Sequence, residues 1–363
     1  MVNIVKALIL AGGFGTRLRP LSCSRPKILF PIMNKPLLQW FIEQLVQNDV
    51  NELILAVNYL SEALIRKSQI SKHGIKILYS QDLPTKPLGT GGAVKKAQKL
   101  IGSEPFLVIN GDIFTELKYL EMLKVHKEKK ALATIALHKV ENPSRYGVAK
   151  LAKENRIEHF VEKPSQEMVP SSLINAGVYI LSPEILNTIP DDQSVSIERK
   201  IFPRIAEEGL LYGYVFDGLW TDIGKIEDFL KINKALLDIY SKEERIMGKV
   251  KIKNPVAFAK GTSVGKGSSI GPYVSLGEKV SVGETVHIKD SIVFPGAAIS
   301  DFVTIEGAII GGNAIVGKGV KIKEGCVIGD HVILKDNISI AKGVSICPGK
   351  IVSESVLKNK CII

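Results

Sequence analysis

The sequence predicts an α/β chain in two regions: a mostly parallel sheet with helices on both faces, followed by a hexapeptide-repeat parallel β-helix. Two observations predict it. Strand-like and helix-like segments alternate over residues 5–240. From about Val264 that rhythm gives way to an aliphatic residue every sixth position, a period that neither a helix nor an alternating strand has.

Val5–Ala11 (VKALILA) is mostly apolar, as expected of a strand buried on both faces. Leu37, Leu38, Phe41, Ile42, Leu45 and Val46 recur at helical spacing within Pro36–Asn48, with Pro36 placed to open the helix. Strands are expected at Leu53–Val57, Ile75–Tyr79, Phe106–Asn110 and Leu211–Val215, and helices at Glu62–Ser71, Gly91–Ile101 and Ile226–Leu237. Such a βαβα rhythm implies a parallel sheet whose ligands lie beyond the carboxyl ends of the strands. The loops after Ala11 and Asn110 are in that position.

The six-residue train runs Val264, Ile270, Leu276, Val282, Ile288, Phe294. A second runs Ile310, Val316, Ile322, Ile328, Leu334, Ile340, Ile346, Val352. Glycine often follows the aliphatic, as at Gly277, Gly283 and Gly329, where a prism-shaped coil turns its corner. The trains are out of phase by four residues, so a loop or irregular turn is expected near Ile299–Glu306. The charged stretch Ile239–Pro255 has neither period and reads as the linker. This gives domains over residues 1–240 and 256–363, joined by 241–255.

The bulk numbers exclude several classes. No apolar run reaches the ~20 residues of a membrane helix. The N-terminus lacks the pattern of a signal peptide, and four scattered cysteines form neither a disulfide framework nor a C-x-x-C pair, so a reducing cytoplasm is expected. The net charge of +11 is spread over both regions. A diffuse positive field suits small anions, and no basic run interleaved with aromatics points to nucleic acid.

The chemistry begins at Leu10-Ala11-Gly12-Gly13-Phe14-Gly15-Thr16-Arg17-Leu18, which continues to Arg25-Pro26-Lys27. Three glycines directly after a strand let backbone N–H groups approach a phosphate, and Arg17 and Lys27 add positive charge. The loop is not a dinucleotide fingerprint, because Leu18 occupies the third glycine position. It is not a Walker A loop, because no Gly-Lys-Ser/Thr follows.

This stretch resembles the signature of the sugar-phosphate nucleotidylyltransferases, G-G-x-G-T-R-L-x-P-L followed by P-K. Further blocks match in the family's order: Gln81 with Pro87–Gly92, Asn110-Gly111-Asp112, Val161–Pro164, Asn175–Tyr179 and Trp220–Gly224. The resemblance implies a Rossmann-like sheet domain and a left-handed β-helix tail. It implies a nucleotide-binding set of Leu10, Ala11, Gly12, Gly13, Gly15, Thr16, Arg17, Gln81, Gly89 and Thr90, with Gln81 and Gly89 on the base. Gly147, Glu162, Lys163 and Asn175 would bind the sugar phosphate. Asp112 and Asp222 would hold Mg²⁺, and Arg17, Lys27 and Lys163 would be catalytic. Asp222 is expected in an irregular segment, and nothing in the sequence itself brings it to Asp112.

The implied reaction joins a nucleoside triphosphate to a sugar 1-phosphate and releases pyrophosphate. Glu141–Val148, Ser196–Pro203 and Leu219–Phe229 resemble the mannose-1-phosphate guanylyltransferase branch, which implies GTP and mannose 1-phosphate. Glucose-1-phosphate uridylyl- and thymidylyltransferases share the core blocks and stand as alternatives. A catalytically silent subunit is a third reading, although such subunits lose an Arg, Lys or Asp that is intact here. Acyl transfer on the β-helix would need a histidine base. His287 and His331 occupy different places in the hexad and neither is diagnostic. Open coil edges and flat faces lead to the expectation of a homo-oligomer.

Overall fold

The computed structural model describes residues 6–13, 15–68, 70, 73–82, 87–241, 249–358 and 360–362. Val5, Phe14 of the glycine-rich loop, Ser71 and linker residues 242–248 lie outside the described residues. Packing divides the chain into two units, Met1–Gly13 with Leu38–Asp222 and Phe14–Leu37 with Ile223–Ile363.

The first unit holds strands β1 (Lys6–Leu10), β2 (Glu52–Asn58), β3 (Lys76–Asp82), β4 (Phe106–Asn110), β5 (Ile113–Thr115), β6 (Ala133–Lys139), β7 (Gly147–Leu151), β8 (Ile157–Glu162), β9 (Leu173–Leu181), β10 (Leu211–Val215) and β11 (Trp220–Asp222). Its helices are α1 (Leu37–Gln47), α2 (Tyr59–Lys67), α3 (Gly89–Lys96), α4 (Gln98–Ile101), α5 (Tyr119–Glu128) and α6 (Phe202–Glu207). The main sheet runs β8-β7-β9-β4-β1-β2-β3, with β6 and β10 beyond β9. Strands β4, β1, β2 and β3 are mutually parallel. Strand β9 is antiparallel to its neighbours, so the sheet is mixed. Leu8, Ile54, Val108, Ile135 and Tyr179 are fully buried at the centre of one core.

Three expectations shift at the level of elements. Helix α1 opens at Leu37, because Pro36 pairs with Pro31 in a two-residue hairpin. The expected helix 91–101 is two helices meeting at Ala97, and it starts earlier, at Gly89. Asp222 ends a true strand rather than an irregular segment, because β11 pairs antiparallel with β5.

The second unit contains three parallel sheets that build a left-handed β-helix. Its core is the aliphatic train: Ile270, Leu276, Val282, Ile288, Val316, Ile322, Ile328, Leu334, Ile340 and Ile346. The corner glycines follow from stacking, since a Cβ at Gly277 would stand 2.6 Å from the Pro295 nitrogen of the next coil. The expected loop near 299–306 is absent, and Ile299 and Ile305 stay in the core. The phase change comes instead from two coil sides one residue short, Ile288 to Val293 and Ile305 to Ile310. Val293 thus takes the core place assigned to Phe294. The Phe294 ring faces outward, 6.2 Å from Phe229 and 6.3 Å from Phe30.

Helix α7 (Ile226–Tyr240) buries Phe229, Ile232, Asn233, Leu236 and Leu237, a helical stripe. Asn233 is buried without penalty: its Oδ1 accepts from the Met33 N–H at 2.7 Å and its Nδ2 donates to the Phe229 carbonyl at 2.9 Å. Residues 15–37 and α7 therefore group with the β-helix by packing, although both precede the expected linker.

Candidate active site

The glycine-rich loop leaves β1 between two neighbouring strands. The Ala11 N–H donates to the Ala56 carbonyl of β2 at 2.8 Å, and the Leu10 carbonyl accepts from the Gly111 N–H at 2.9 Å. The approach of Gly111 is so close that a Cβ there would stand 2.8 Å from the Leu10 oxygen. This packing accounts for the glycine immediately before Asp112. Around Gly13 there is open space among the described residues, enough for a ligand to approach. Gly12 faces Asp82 at the end of β3, its would-be Cβ 3.9 Å from Oδ2. Asp82 Oδ1 is buried with no hydrogen-bond partner among the described residues. Burial raises the pKa of this carboxyl, opposed by the charge of Lys96. Sequence reasoning passed over Asp82; its neighbour Gln81 donates instead to Glu62 of α2.

Further along the loop, Gly15 adopts φ 59° and its carbonyl accepts from Ser22 Oγ at 2.8 Å. Thr16 and Arg17 lie in the 3₁₀ turn Thr16–Leu18, and Lys27 opens a second turn, Lys27–Leu29. These residues belong to the second unit.

The pairing of β5 with β11 joins the two aspartates. Its register sets Asp222 opposite Ile113, the residue after Asp112. The Trp220 indole N–H holds β11 to the Ala176 carbonyl of β9 at 2.9 Å. Two carboxylates, with phosphate oxygens and water, are the donors a hard divalent cation prefers. Among the described residues no group of three or more His, Cys, Asp or Glu could hold a metal. Asp112 and Asp222 are two carboxylates that could serve such a cation together with substrate oxygens.

A second polar group is built on a kink in β9. The register slips between Asn175 and Tyr179, and Gly177 takes φ 74°. Asn175 Oδ1 accepts from the Gly177 N–H at 2.9 Å, and its Nδ2 donates to Tyr179 Oη at 3.0 Å. Tyr179 Oη in turn lies 3.4 Å from Glu198 Oε1. Glu198 Oε2 accepts from Thr90 Oγ1 at 2.6 Å and Ser196 Oγ at 2.7 Å. Burial, with the Glu198 charge, holds the Tyr179 phenol well above its usual range. Thr90 therefore serves this group through its hydroxyl. Gly89 is glycine because it has φ 69° and a Cβ would meet the Val195 carbonyl at 2.6 Å.

Glu162 ends β8 and faces Gly147, where a Cβ would stand 2.7 Å from Oε2. Burial raises the Glu162 pKa, the nearby Glu198 charge adds to this, and Lys163 and Arg199 oppose it. Lys163 Nζ is 3.8 Å from Glu162 Oε1, and its backbone is at φ 52° immediately before Pro164. Sequence reasoning gave no role to Glu198, although an acid between apolar Ile197 and Ile201 was a visible signal.

A nucleotidyl transferase family model matches residues 6–239, and a GMPPB C-terminal domain model matches residues 252–362. The chain belongs to the nucleotidyl transferase family. It is 44% identical over 231 residues to the mannose-1-phosphate guanylyltransferase catalytic subunit beta of Xenopus tropicalis, covering 62% of this chain and 63% of that one. The corresponding subunit of Dictyostelium discoideum is 40% identical over 264 residues, 72% of this chain and 69% of that one. The match therefore spans a little under two thirds of the Xenopus relative. Among solved structures, HddC from Yersinia pseudotuberculosis complexed with GMP-PN aligns with TM-score 0.53 and 31% identity, over 64% of this chain and all of that one. Nucleotidyltransferases of this family generally use a divalent metal, and nucleoside triphosphate and sugar phosphate substrates fit the family. Among the described residues no helix is long and apolar enough to cross a membrane.

Proposed function

We propose that this protein makes GDP-mannose and pyrophosphate from GTP and mannose 1-phosphate. The observation that carries the reading is the β5–β11 pairing, which sets Asp222 beside Asp112 at the carboxyl end of the parallel strands. The relatives named as mannose-1-phosphate guanylyltransferases support the same pair of substrates.

In this reading a sugar-phosphate oxygen attacks the α-phosphorus in line and pyrophosphate leaves, with no covalent enzyme intermediate. Mg²⁺ held by Asp112 and Asp222 would offset the charge of two approaching anions. The backbone from Leu10 to Thr16 cradles the triphosphate, and Arg17 and Lys27 neutralise it. Gln81 and Gly89 line the base, with Thr90 behind them. Glu162, Asn175 and the Gly147 backbone orient the sugar hydroxyls, and Lys163 holds the sugar's phosphate. Positioning and charge supply most of the rate.

Next to Gln81, Asp82 would favour guanine among the bases. A carboxylate only accepts hydrogen bonds, and guanine offers two adjacent N–H donors, at N1 and N2. Uracil and thymine offer one N–H between two carbonyl oxygens, which a carboxylate repels. The domain division that goes with this reading is catalytic over residues 1–240, linker over 241–255 and β-helix over 256–363, in a cytoplasmic homo-oligomer.

A matrix of GTP, ATP, UTP and dTTP against mannose and glucose 1-phosphates, scored by pyrophosphate release, tests the reading. GTP with mannose 1-phosphate should exceed every other pair at least ~10-fold in kcat/KM, about what one hydrogen bond to a charged group supplies. Preference for UTP or dTTP with glucose 1-phosphate would establish the neighbouring branch instead. No release from any pair would favour a silent subunit.

A further inference from the structure

The β-helix grips the segment that carries Lys27 through one buried acid. Asp330 has a side chain only 5% exposed, at a corner of the β-helix. Its Oδ2 accepts from Arg25 Nη2 at 2.7 Å, from Arg25 Nε at 3.1 Å and from Ser24 Oγ at 2.7 Å. Its Oδ1 accepts from the Gly312 N–H at 2.6 Å, so both oxygens are engaged. Gly312 also leaves room for the guanidinium, since a Cβ there would stand 2.8 Å from Arg25 Nη2.

The same guanidinium lies 4.9 Å from the centre of the Phe294 ring. Phe294, Phe30 and Phe229 form a cluster of edge contacts, with Phe30 and Phe229 5.6 Å apart. Lys27 lies between these anchors. Arg25 is two residues before it and Phe30 three after, and the turn is closed by Phe30 N–H to the Lys27 carbonyl at 2.9 Å. An isolated buried carboxylate is costly, and a forked guanidinium bond fixes direction as well as distance. The Oδ1 bond belongs to the coil itself, since Asp301 and Asp336, also two residues after a core aliphatic, accept in the same way from the Glu284 and Lys318 N–H groups at 2.8 Å. The Oδ2 bonds to Arg25 and Ser24 set Asp330 apart.

We propose that Asp330 is a positioning residue for the reaction: through Arg25 it sets the backbone of Lys27. This rests on the reading of Lys27 as a phosphate-binding residue. The test uses the full chain. Asp330→Asn keeps the side chain's shape and one accepting oxygen but loses the charge that holds the fork. Its kcat should fall ~10–100-fold, as expected when a catalytic group is misplaced by about an ångström. The KM for sugar phosphate should stay within about twofold. In a Lys27→Ala background the same substitution should cost nothing further, because the group it positions is gone. Hydrogen exchange should quicken at residues 24–30 and stay unchanged in the coil strands 327–346.

Equal losses in both backgrounds would overturn the proposal, as would unchanged exchange at 24–30. A purely structural role would quicken exchange in the coils as well and leave kcat per folded molecule intact. Should Asp330→Asn fail to fold, Gly312→Ala, which presses on the guanidinium without removing a charge, should produce the same kcat loss and the same exchange pattern. The exchange measurement needs no activity, so a wild-type chain that released no pyrophosphate would defeat the proposed reaction while the anchoring was still read.

Discussion

At the scale of residues, the site depends on carboxylates whose surroundings differ. Strand pairing sets Asp222 opposite Ile113, the neighbour of Asp112, and in the proposed function both aspartates hold charge. Asp112→Ala or Asp222→Ala should lower pyrophosphate release at least ~10³-fold, on the scale of losing a preorganised electrostatic group. Melting temperature should stay within a few degrees. An Asp112→Ala variant with most of its activity in Mg²⁺ would refute the metal role. Glu162 is different, because burial and Glu198 push its pKa up. It takes a proton at a higher pH than a free glutamate, so its carboxylate is lost earlier on acidification. The KM for sugar phosphate should therefore rise as pH falls through that raised pKa, while the KM for GTP changes less. The two profiles measured between about pH 4 and 7, the range around an ordinary and a raised carboxyl, check this. Lys163→Ala should raise the sugar-phosphate KM at every pH.

At the scale of elements, helix α5 carries a buried histidine with no role in the chemistry. His126 Nδ1 lies 2.9 Å from Thr134 Oγ1 of β6, and Nε2 lies 3.0 Å from Ser182 Oγ. Burial pushes its pKa down to about 4, from the ordinary 6.5. Between those values the unfolded chain binds a proton that the folded one does not. Stability is therefore full above about pH 6.5 and falls as pH drops toward 4, by up to ~3 kcal/mol. Denaturant midpoints across that window should flatten in a His126→Gln variant. A variant with the wild-type slope would show that another group is responsible.

Much at this scale was readable in advance. Strands β1 and β4 are largely apolar runs, and α7 shows its stripe. The kink at Gly177 was not, because Asn-Ala-Gly reads equally well as continuous strand until Asn110 is seen: a Cβ at 177 would meet its Nδ2 at 2.9 Å. The two short coil sides were also hidden, since Ile292, Val293 and Phe294 are all apolar and only packing shows which one faces in.

At the scale of the whole molecule, the boundary seen in the sequence and the boundary of packing fall in different places. The signature segment from Gly15 to Leu37 packs with α7 and the β-helix. Removing residues 250–363 should therefore do more than free a catalytic domain. Phe30 would lose the Phe294 contact, Arg25 would lose Asp330, and exposed aromatic surface would follow. A chain ending near residue 249 should be prone to aggregate and should show under ~1% of full-length kcat/KM, consistent with loss of a positioned catalytic group. A soluble, fully active fragment would show that the segment folds without the β-helix.

The sequence by itself determined what is local. The six-residue period calls for a β-helix, because no other regular backbone repeats its inward face at that interval. The alternation of strands and helices calls for a layered sheet. Only the tertiary structure decided which distant residues meet. Asp222 comes to lie opposite Ile113, the neighbour of Asp112, through a register of backbone hydrogen bonds, and Arg25 reaches Asp330 across about 300 residues of chain. Those meetings depend on the packing of whole layers, and no local pattern of residue types encodes a partner that far away.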